Sequence, residues 1–319
     1  MPKSEACNPS EEAMGQLRIG AGGWDNFNIP NGDRLKAYSS IYDFVEVNST
    51  YYRLPNPSAV ASWRRRVPLG FEFSVRCHRD LAEFHRLELT PKSVHIIDSM
   101  EKTCRHLKAG VLTILIPKAL VGDRELGSKL NSVLSTISLG ETRIAIEFRG
   151  GEPIEDTLEI LHDHNAVHGV DISTEDPKVD ASILYGRLFG KGKENIYEFD
   201  DDELQGIATK ASGQKFEKSI LAFHGIRMYR DAARLKIFLT SGKFPSLTRQ
   251  IGLGSLCDVL KEDARFPTTK SQLVGEQGWK LYDKNAEERA RARDILEKLP
   301  DRTYTTLDDV VVSLKGTVL

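Results

Sequence analysis

Short apolar runs rich in β-branched and aromatic residues recur along the chain as far as Gly225. They are Leu17–Gly23, Tyr42–Ser49, Phe71–Cys77, Gly110–Pro117, Arg143–Arg149, Val167–Ser173, Ile183–Gly190 and Ser219–Gly225. Most are continuous rather than alternating, as expected of strands buried on both faces of a parallel sheet. The segments between them carry helical spacing. Pro57–Arg66 opens with proline at a helix N-terminus, Glu125–Ile137 and Glu155–His164 follow, and Asp200–Ala211 has an acidic first turn that suits the helix dipole. Tyr229–Leu239 is one more helical stretch after the last strand. This repeat predicts an α/β chain folded as a TIM-barrel-like (β/α)8 domain. The segment from Ser173 to Ile183, with Pro177 inside it, is too short for a crossover helix. The barrel is therefore expected to be irregular between strands six and seven.

The pattern changes after residue 240. Gly242, Pro245, Gly252 and Gly254 read as a linker over 241–255. Beyond it, Pro267–Glu276 looks helical and stops at Gly278. Asn285 with Glu288, and Thr306 with Asp309, have capping-box spacing. They predict one helix ending before Pro300 and a last helix reaching Leu314. The expected plan is a flexible tail over 1–16, a barrel over 17–240, the linker, and a small helical domain over 256–319.

Composition narrows the function classes. Lys plus Arg is 44 and Asp plus Glu is 46, a net charge of −2. That excludes a globally basic nucleic-acid coat protein but not a local basic patch. No apolar run has the length of a membrane span. The N-terminal residues are polar and acidic, unlike a secretory leader. Cys7, Cys77, Cys104 and Cys257 are isolated, with no C-x-x-C and no zinc spacing. Together these features predict a cytoplasmic protein with no membrane partner.

The candidate chemistry lies at the strand ends, because the C-terminal ends of barrel strands form the functional mouth. Strand two ends in Glu46-Val47-Asn48-Ser49, followed by Tyr51, Tyr52 and Arg53. Strand three ends at Arg76, strand five in Glu147-Phe148-Arg149 and strand six at Asp171. Strand seven carries Arg187, and strand eight ends in His224-Gly225. Residues two apart project to the same side, so Glu46 pairs with Asn48 and Glu147 with Arg149. One reading is an ion-pair network that plugs the barrel. The other is an anion site, with Arg53, Arg76, Arg149 and Arg187 as forked donors for phosphate or carboxylate. In that reading Glu46, Glu147 and Asp171 are the acid–base or cation-holding residues, with Mg²⁺ or Mn²⁺ as the fitting ion. Gly190-Lys191-Gly192-Lys193 follows strand seven, where barrels often bind phosphate, and adds Lys191 to the candidate ligand set. Arg64-Arg65-Arg66, beside Trp63, Tyr51 and Tyr52, is a candidate nucleic-acid surface or a solvated helix face.

Ile19-Gly20-x-x-Gly23-Trp24 and the run from Val45 through Glu46, Asn48, Tyr51, Tyr52 and Arg53 to Pro55 resemble the domain-of-unknown-function 72 family, the YecE-like proteins. Trp63, the strand Phe71-x-Phe73-x-x-Arg76, Glu147-Phe148-Arg149 and Tyr185-x-Arg187-Leu188-x-Gly190 extend the resemblance over about 17–240. It implies a TIM-barrel-like fold and adds Trp24 to the ligand-binding set. It supplies no established activity. Likenesses of the family to sugar isomerases and to the endonuclease IV barrel are fold-level analogies. The chain departs from the family pattern at Phe189, Gly150, His224-Gly225 and Arg76, which puts proton-transfer roles of those family positions in doubt. The tail also resembles a small uncharacterised helical domain, through Pro267, Lys270, Leu273, Leu299-Pro300-Asp301-Arg302, Tyr304 and Asp309-Val310.

The leading expectation is a barrel whose mouth binds an anionic, phosphate-bearing ligand and acts as a phosphodiester hydrolase of nuclease type. The alternatives are a non-catalytic nucleic-acid-binding module and a sugar or sugar-phosphate isomerase.

Overall fold

The computed structural model describes residues 16–213 and 215–318, so the predicted tail lies almost wholly outside the described residues. Eight parallel strands run β1 (Gln16–Ala21), β2 (Phe44–Val47), β3 (Glu72–Arg76), β4 (Val111–Ile116), β5 (Arg143–Phe148), β6 (Val167–His168), β7 (Ile183–Leu188) and β8 (Lys218–Phe223). Their order is β6-β5-β4-β3-β2-β1-β8-β7. The two ends of that sheet meet through one parallel bridge, Val170 to Gly186, in which Arg187 N–H donates to the Val170 carbonyl at 2.9 Å. The sheet thus curls into a barrel with its weak seam where the sequence placed it. No helix fills 169–182. Strand six is shorter than Val167–Ser173, because the chain turns through Asp171–Thr174 as soon as the bridge is made.

Helices α1 (Arg34–Tyr38), α2 (Pro57–Arg65), α3 (Pro91–Leu107), α4 (Lys118–Val121), α5 (Leu126–Thr136), α6 (Glu155–Asp163), α7 (Asp201–Ala211) and α8 (Met228–Ser241) surround it. Between them and the sheet lies the larger core, with Val45, Val47, Phe73, Val75, Ile114, Leu184 and Leu221. The opposite side of the same strands faces inward. Phe44, Val111, Ala145, Val167, Tyr185, Ile220 and Ala222 pack as a separate apolar plug inside the barrel. Below the plug, Arg18 and Lys218 flank Glu72 at 2.7 and 2.5 Å. Above it, one period-two step along the strands, stand Glu46, Arg76, Glu147, Arg187 and His224. The alternation therefore sends charged side chains to the mouth of the barrel.

The long α3 is not among the helices that the sequence pattern predicts, although its signals are ordinary. Ile96, Ile97, Met100, Cys104 and Leu107 bury one face, Pro91 sits at the first turn, and Thr90 and Ser93 form a reciprocal capping box. Thr90→Ala is expected to cost about 1 kcal/mol, read as a lowered urea midpoint with an unchanged m-value.

Beyond the barrel come α9 (Leu253–Leu260), β9 (Thr268–Thr269), α10 (Lys270–Gln277), β10 (Leu281–Asp283), β11 (Arg289–Arg291), α11 (Ala292–Leu296), β12 (Thr303–Tyr304) and α12 (Leu307–Val318). They share a second core of Leu256, Val259, Leu273, Ile295, Leu296 and Val310. The helix expected from Asn285 is corrected. Asn285 Oδ1 does accept the Glu287 and Glu288 N–H groups, each at 2.9 Å. It does so in the turn of the β10–β11 hairpin. A helix cap and an Asx turn share this hydrogen-bond pattern, and here strand pairing takes over.

Candidate functional site

Glu46 is the centre of the upper layer. It is fully buried, and its oxygens are taken. Oε2 accepts from the Tyr185 hydroxyl at 2.6 Å and from Arg187 Nε at 2.9 Å. Oε1 accepts from Arg187 Nη2 at 3.0 Å and lies 3.3 Å from His224 Nε2 and 3.9 Å from Arg76 Nε. Tyr185 is in turn held by Ser74 at 2.7 Å. Burial alone would raise the Glu46 pKa, but the charge of Arg187, with His224 and Arg76, holds it well below the usual carboxylate range. Glu46 does not line the open cavity. The plug reading thus describes this residue.

Arg187 reaches upward from Glu46 to Glu147, which also accepts from Arg149 Nε at 3.0 Å. Burial opposes charge on Glu147 too, and Arg187 and Arg149 prevail and keep it ionised. Arg76 donates to Asn48 Oδ1 and stacks on the Tyr51 ring, 3.9 Å from its centroid. Tyr51 donates to Glu83. Burial, with the bond to Glu83, pushes the Tyr51 hydroxyl up to about 12.

Above this network opens a cavity of about 590 Å³. Asn48, Tyr51, Arg76, Glu147, Arg149 and Arg187 line it. A smaller space of about 230 Å³ lies beside it, walled by Trp24, Ser49 and Tyr229, and shares Gly22, Asn26, Asn48, Tyr52 and Met228 with it. Trp24 therefore stands in the side chamber.

Besides Glu46, three candidate residues line neither space. Arg53 is exposed and lines neither chamber. Asp171 is a loop anchor: its Oδ2 accepts the Phe189 and Gly190 N–H groups at 2.7 and 2.9 Å, and its Oδ1 accepts from Ser173. Those bonds also consume backbone donors that a phosphate loop would need. Lys191 points to Glu203 at 3.0 Å. The expected convergence of Glu46, Glu147 and Asp171 on a Mg²⁺ or Mn²⁺ ion does not form, because Arg187 occupies the space between the two glutamates. Among the described residues no group of three His, Cys, Asp or Glu side chains is arranged to hold a metal ion.

The Arg64–Arg66 run, at the C-terminal end of α2, lines neither chamber. Arg64 donates to the Phe71 carbonyl at 2.8 Å, and Arg66 pairs with Asp33 at 3.2 Å. Trp63 packs edge-on to Trp24 at 5.5 Å. These residues are structural and do not combine with Tyr51 and Tyr52 into one surface.

His224 and Phe189 are site residues that the candidate set lacked. The two rings stack at 4.8 Å with 17° between planes. Arg187 and Arg149 stand over Phe189 at 5.2 and 5.6 Å. His224 also lies against Gly22, where a Cβ would come within 2.2 Å of the imidazole. Burial and the neighbouring Arg187 lower the His224 pKa, so the ring is neutral at pH 7. The departure of Phe189 and His224 from the family pattern was the visible signal. Their mutual stacking was not, because they lie on different strands.

A family model described as "Protein of unknown function DUF72" matches residues 18–243. The chain belongs to the DUF72 family. Two crystal structures of a DUF72 family protein from Enterococcus faecalis V583 are similar to it, each with a TM-score of 0.57. One is 16% identical and covers 71% of this chain and 98% of its own; the other is 17% identical, with 70% and 93% covered. At that identity the likeness carries the barrel fold of the DUF72 domain and nothing finer. No curated protein matches the chain. Among the described residues no helix is long and apolar enough to cross a membrane.

Proposed function

We propose that the barrel mouth binds a small phosphate-bearing anion and carries out acid–base chemistry on it. The observation that supports this is the cation excess around the cavity. Arg76, Arg149 and Arg187 face Glu147 there, with buried Glu46 beneath them, while Glu83, bonded to Tyr51, is exposed. Glu194 stands on the exposed rim, where solvent screens it. Both network carboxylates are already paired. Arg149 spends only Nε on Glu147, and its side chain is 43% exposed, so its outer nitrogens are free to fork onto a phosphate.

In this reading Glu46 is a positioning residue and His224 the proton-transfer group. A neutral imidazole on the cavity wall, held by the Phe189 ring and with a carboxylate 3.3 Å from Nε2, is placed to act as a general base. Glu147, ionised between two arginines, is a poor base and holds them in place. A phosphodiester hydrolase and a sugar-phosphate isomerase both use an anion site beside a proton-transfer group. The mouth accommodates either, and the hydrolase remains the leading member. A purely nucleic-acid-binding surface has less support, since of its residues Tyr51 and Tyr52 line the mouth while Arg64, Arg66 and Trp63 are engaged elsewhere.

The test is calorimetric titration with inorganic phosphate, phosphate monoesters and short DNA and RNA strands at two salt concentrations. Arg149→Ala is expected to weaken phosphate binding about tenfold or more while leaving the unfolding midpoint nearly unchanged, because a half-exposed pair contributes little to stability. Phosphate binding should also strengthen as pH falls below the ordinary imidazole range and His224 takes up its proton. Phosphate heats that are absent, or that survive Arg149→Ala, would overturn the reading.

A further inference from the structure

The cavity has two kinds of wall. The wall built by the loops after β2 and β3 (Asn48, Tyr51, Tyr52, Arg76) is held from within the barrel. The wall built by the loops after β7 and β8 is held from outside it. Glu194, Asn195 and Ile196 line the cavity, and the chain then turns to Glu198, which is completely buried. Glu198 Oε2 accepts the Leu281 N–H at 2.9 Å, and its carbonyl oxygen accepts from Arg291 Nη1 at 2.6 Å. Arg291 continues to Glu203 at 3.4 Å and lies over the Tyr197 ring at 4.9 Å.

The second loop repeats the pattern. Ile226 and Met228 line the cavity, while Arg227 between them turns away to Glu262 and to the Trp279 ring at 5.2 Å. Arg230 joins Glu262 at 3.0 Å and Glu198 at 3.3 Å. The two loops are tied to each other where Ile226 N–H donates to the Asn195 carbonyl at 3.0 Å. Leu281, Arg291, Glu262 and Trp279 all belong to the C-terminal unit, beyond the residues that the family model matches.

We infer that residues 253–318 clamp the β7 and β8 side of the mouth, and that Arg291, Glu198 and Glu262 are positioning residues for the ligand cavity. The C-terminal unit is then part of the site without touching the ligand. Alternate residues of one short loop serve the cavity and the clamp, so loosening the clamp displaces Ile226 and Met228 directly. Glu198 serves both loops, which couples them. The ligand half of this inference rests on the mouth being an anion site; the loop-ordering half does not.

The experiment is amide hydrogen exchange on the full-length protein, paired with phosphate titration. Arg291→Ala is expected to speed exchange in 193–200 and 224–230 about tenfold, with 48–56 and α10 unchanged. Phosphate affinity should fall several-fold, with partial rescue in Arg291→Lys. Arg302→Ala, which breaks the Arg302–Asp309 pair inside the C-terminal unit, should leave both readouts at wild-type values. If Arg291→Ala does not fold, Glu262→Gln carries the same expectation for 224–230. Unchanged exchange in the two loops overturns the clamp, as does acceleration spread evenly over the barrel. Faster loops with wild-type phosphate affinity overturn the positioning role. If the wild type binds no phosphate but the loops respond as expected, the anion reading fails and the clamp stands.

Discussion

Arg187→Met is expected to destabilise the protein by about 3–5 kcal/mol at neutral pH. Arg187 is 1% exposed and supplies both bonds of a forked pair to fully buried Glu46, as well as one to Glu147. Removing it leaves a carboxylate in the barrel with the Tyr185 hydroxyl and only His224 and Arg76 nearby. The pH dependence has a definite sign. In the wild type the Glu46 carboxyl is held below its ordinary value. Its contribution is therefore fully present above the ordinary carboxylate range and is lost as pH falls through the depressed native value. In the variant, burial goes largely unopposed and the carboxyl titrates upward, so the deficit should be larger at pH 8 than at pH 5. Adding Glu46→Gln should recover much of the loss, because the charge that needed a partner is gone. Urea titrations of the two single variants and the double variant decide the matter. A loss under about 1 kcal/mol for Arg187→Met, or strict additivity, would show that the pair is not the keystone of the upper layer.

The same residues show what the sequence makes legible. Glu46, Asn48, Glu147, Arg149 and Arg187 were readable as mouth residues because strand periodicity and the barrel rule fix a side and an end. Their pairing was not readable, because it depends on which strands face each other across the barrel. Glu46 and Arg187 are 141 positions apart. That distance in sequence is why Glu46 looked like a free acid–base group when it is a saturated one. Asp171 failed for a different reason. It sits after a strand that ends early, and a turn needs its carboxylate for the Phe189 and Gly190 amides. Charge composition could not choose between the two readings of Arg64–Arg66, because it does not say whether the charges on a helix face the mouth; here Arg64 and Arg66 are engaged by the Phe71 carbonyl and Asp33.

The elements themselves were largely legible, down to the missing crossover helix between strands six and seven. Apart from α3, whose ordinary signals go unread, the error lies where one local pattern has two outcomes. Asn285 with Glu288 makes the same hydrogen bonds in an Asx turn as at a helix cap. The choice was made by β10 and β11, whose pairing depends on packing of the C-terminal unit.

Gly20→Ala is expected to cost about 3–5 kcal/mol, more than its size suggests, and it explains one letter of the motif that first marked the chain. Gly20 pairs with Phe44 across β1 and β2. A Cβ there would stand 1.9 Å from the Phe44 carbonyl oxygen and 2.7 Å from the Tyr38 hydroxyl. That hydroxyl is wedged between the strands: it accepts the Ala21 N–H at 2.7 Å and donates to the Phe44 carbonyl at 2.8 Å. It takes the place of ladder bonds that two strands paired over so short a stretch lack. The obstacle in front of the new methyl is backbone, which cannot rotate away, so β1 and β2 must part and the Tyr38 bridge must break. Gly23, at φ +122°, is required for a different reason, since its backbone lies where side chains are strained. Tyr38→Phe alone should cost less, because it removes the bridge without forcing the strands apart. In the double variant the two losses should fall short of their sum, since both act on one bridge. Thermal or urea unfolding of the three proteins checks this, and a Gly20→Ala midpoint at the wild-type value would mean that the strands separate freely and that the hydroxyl bridge does not hold them.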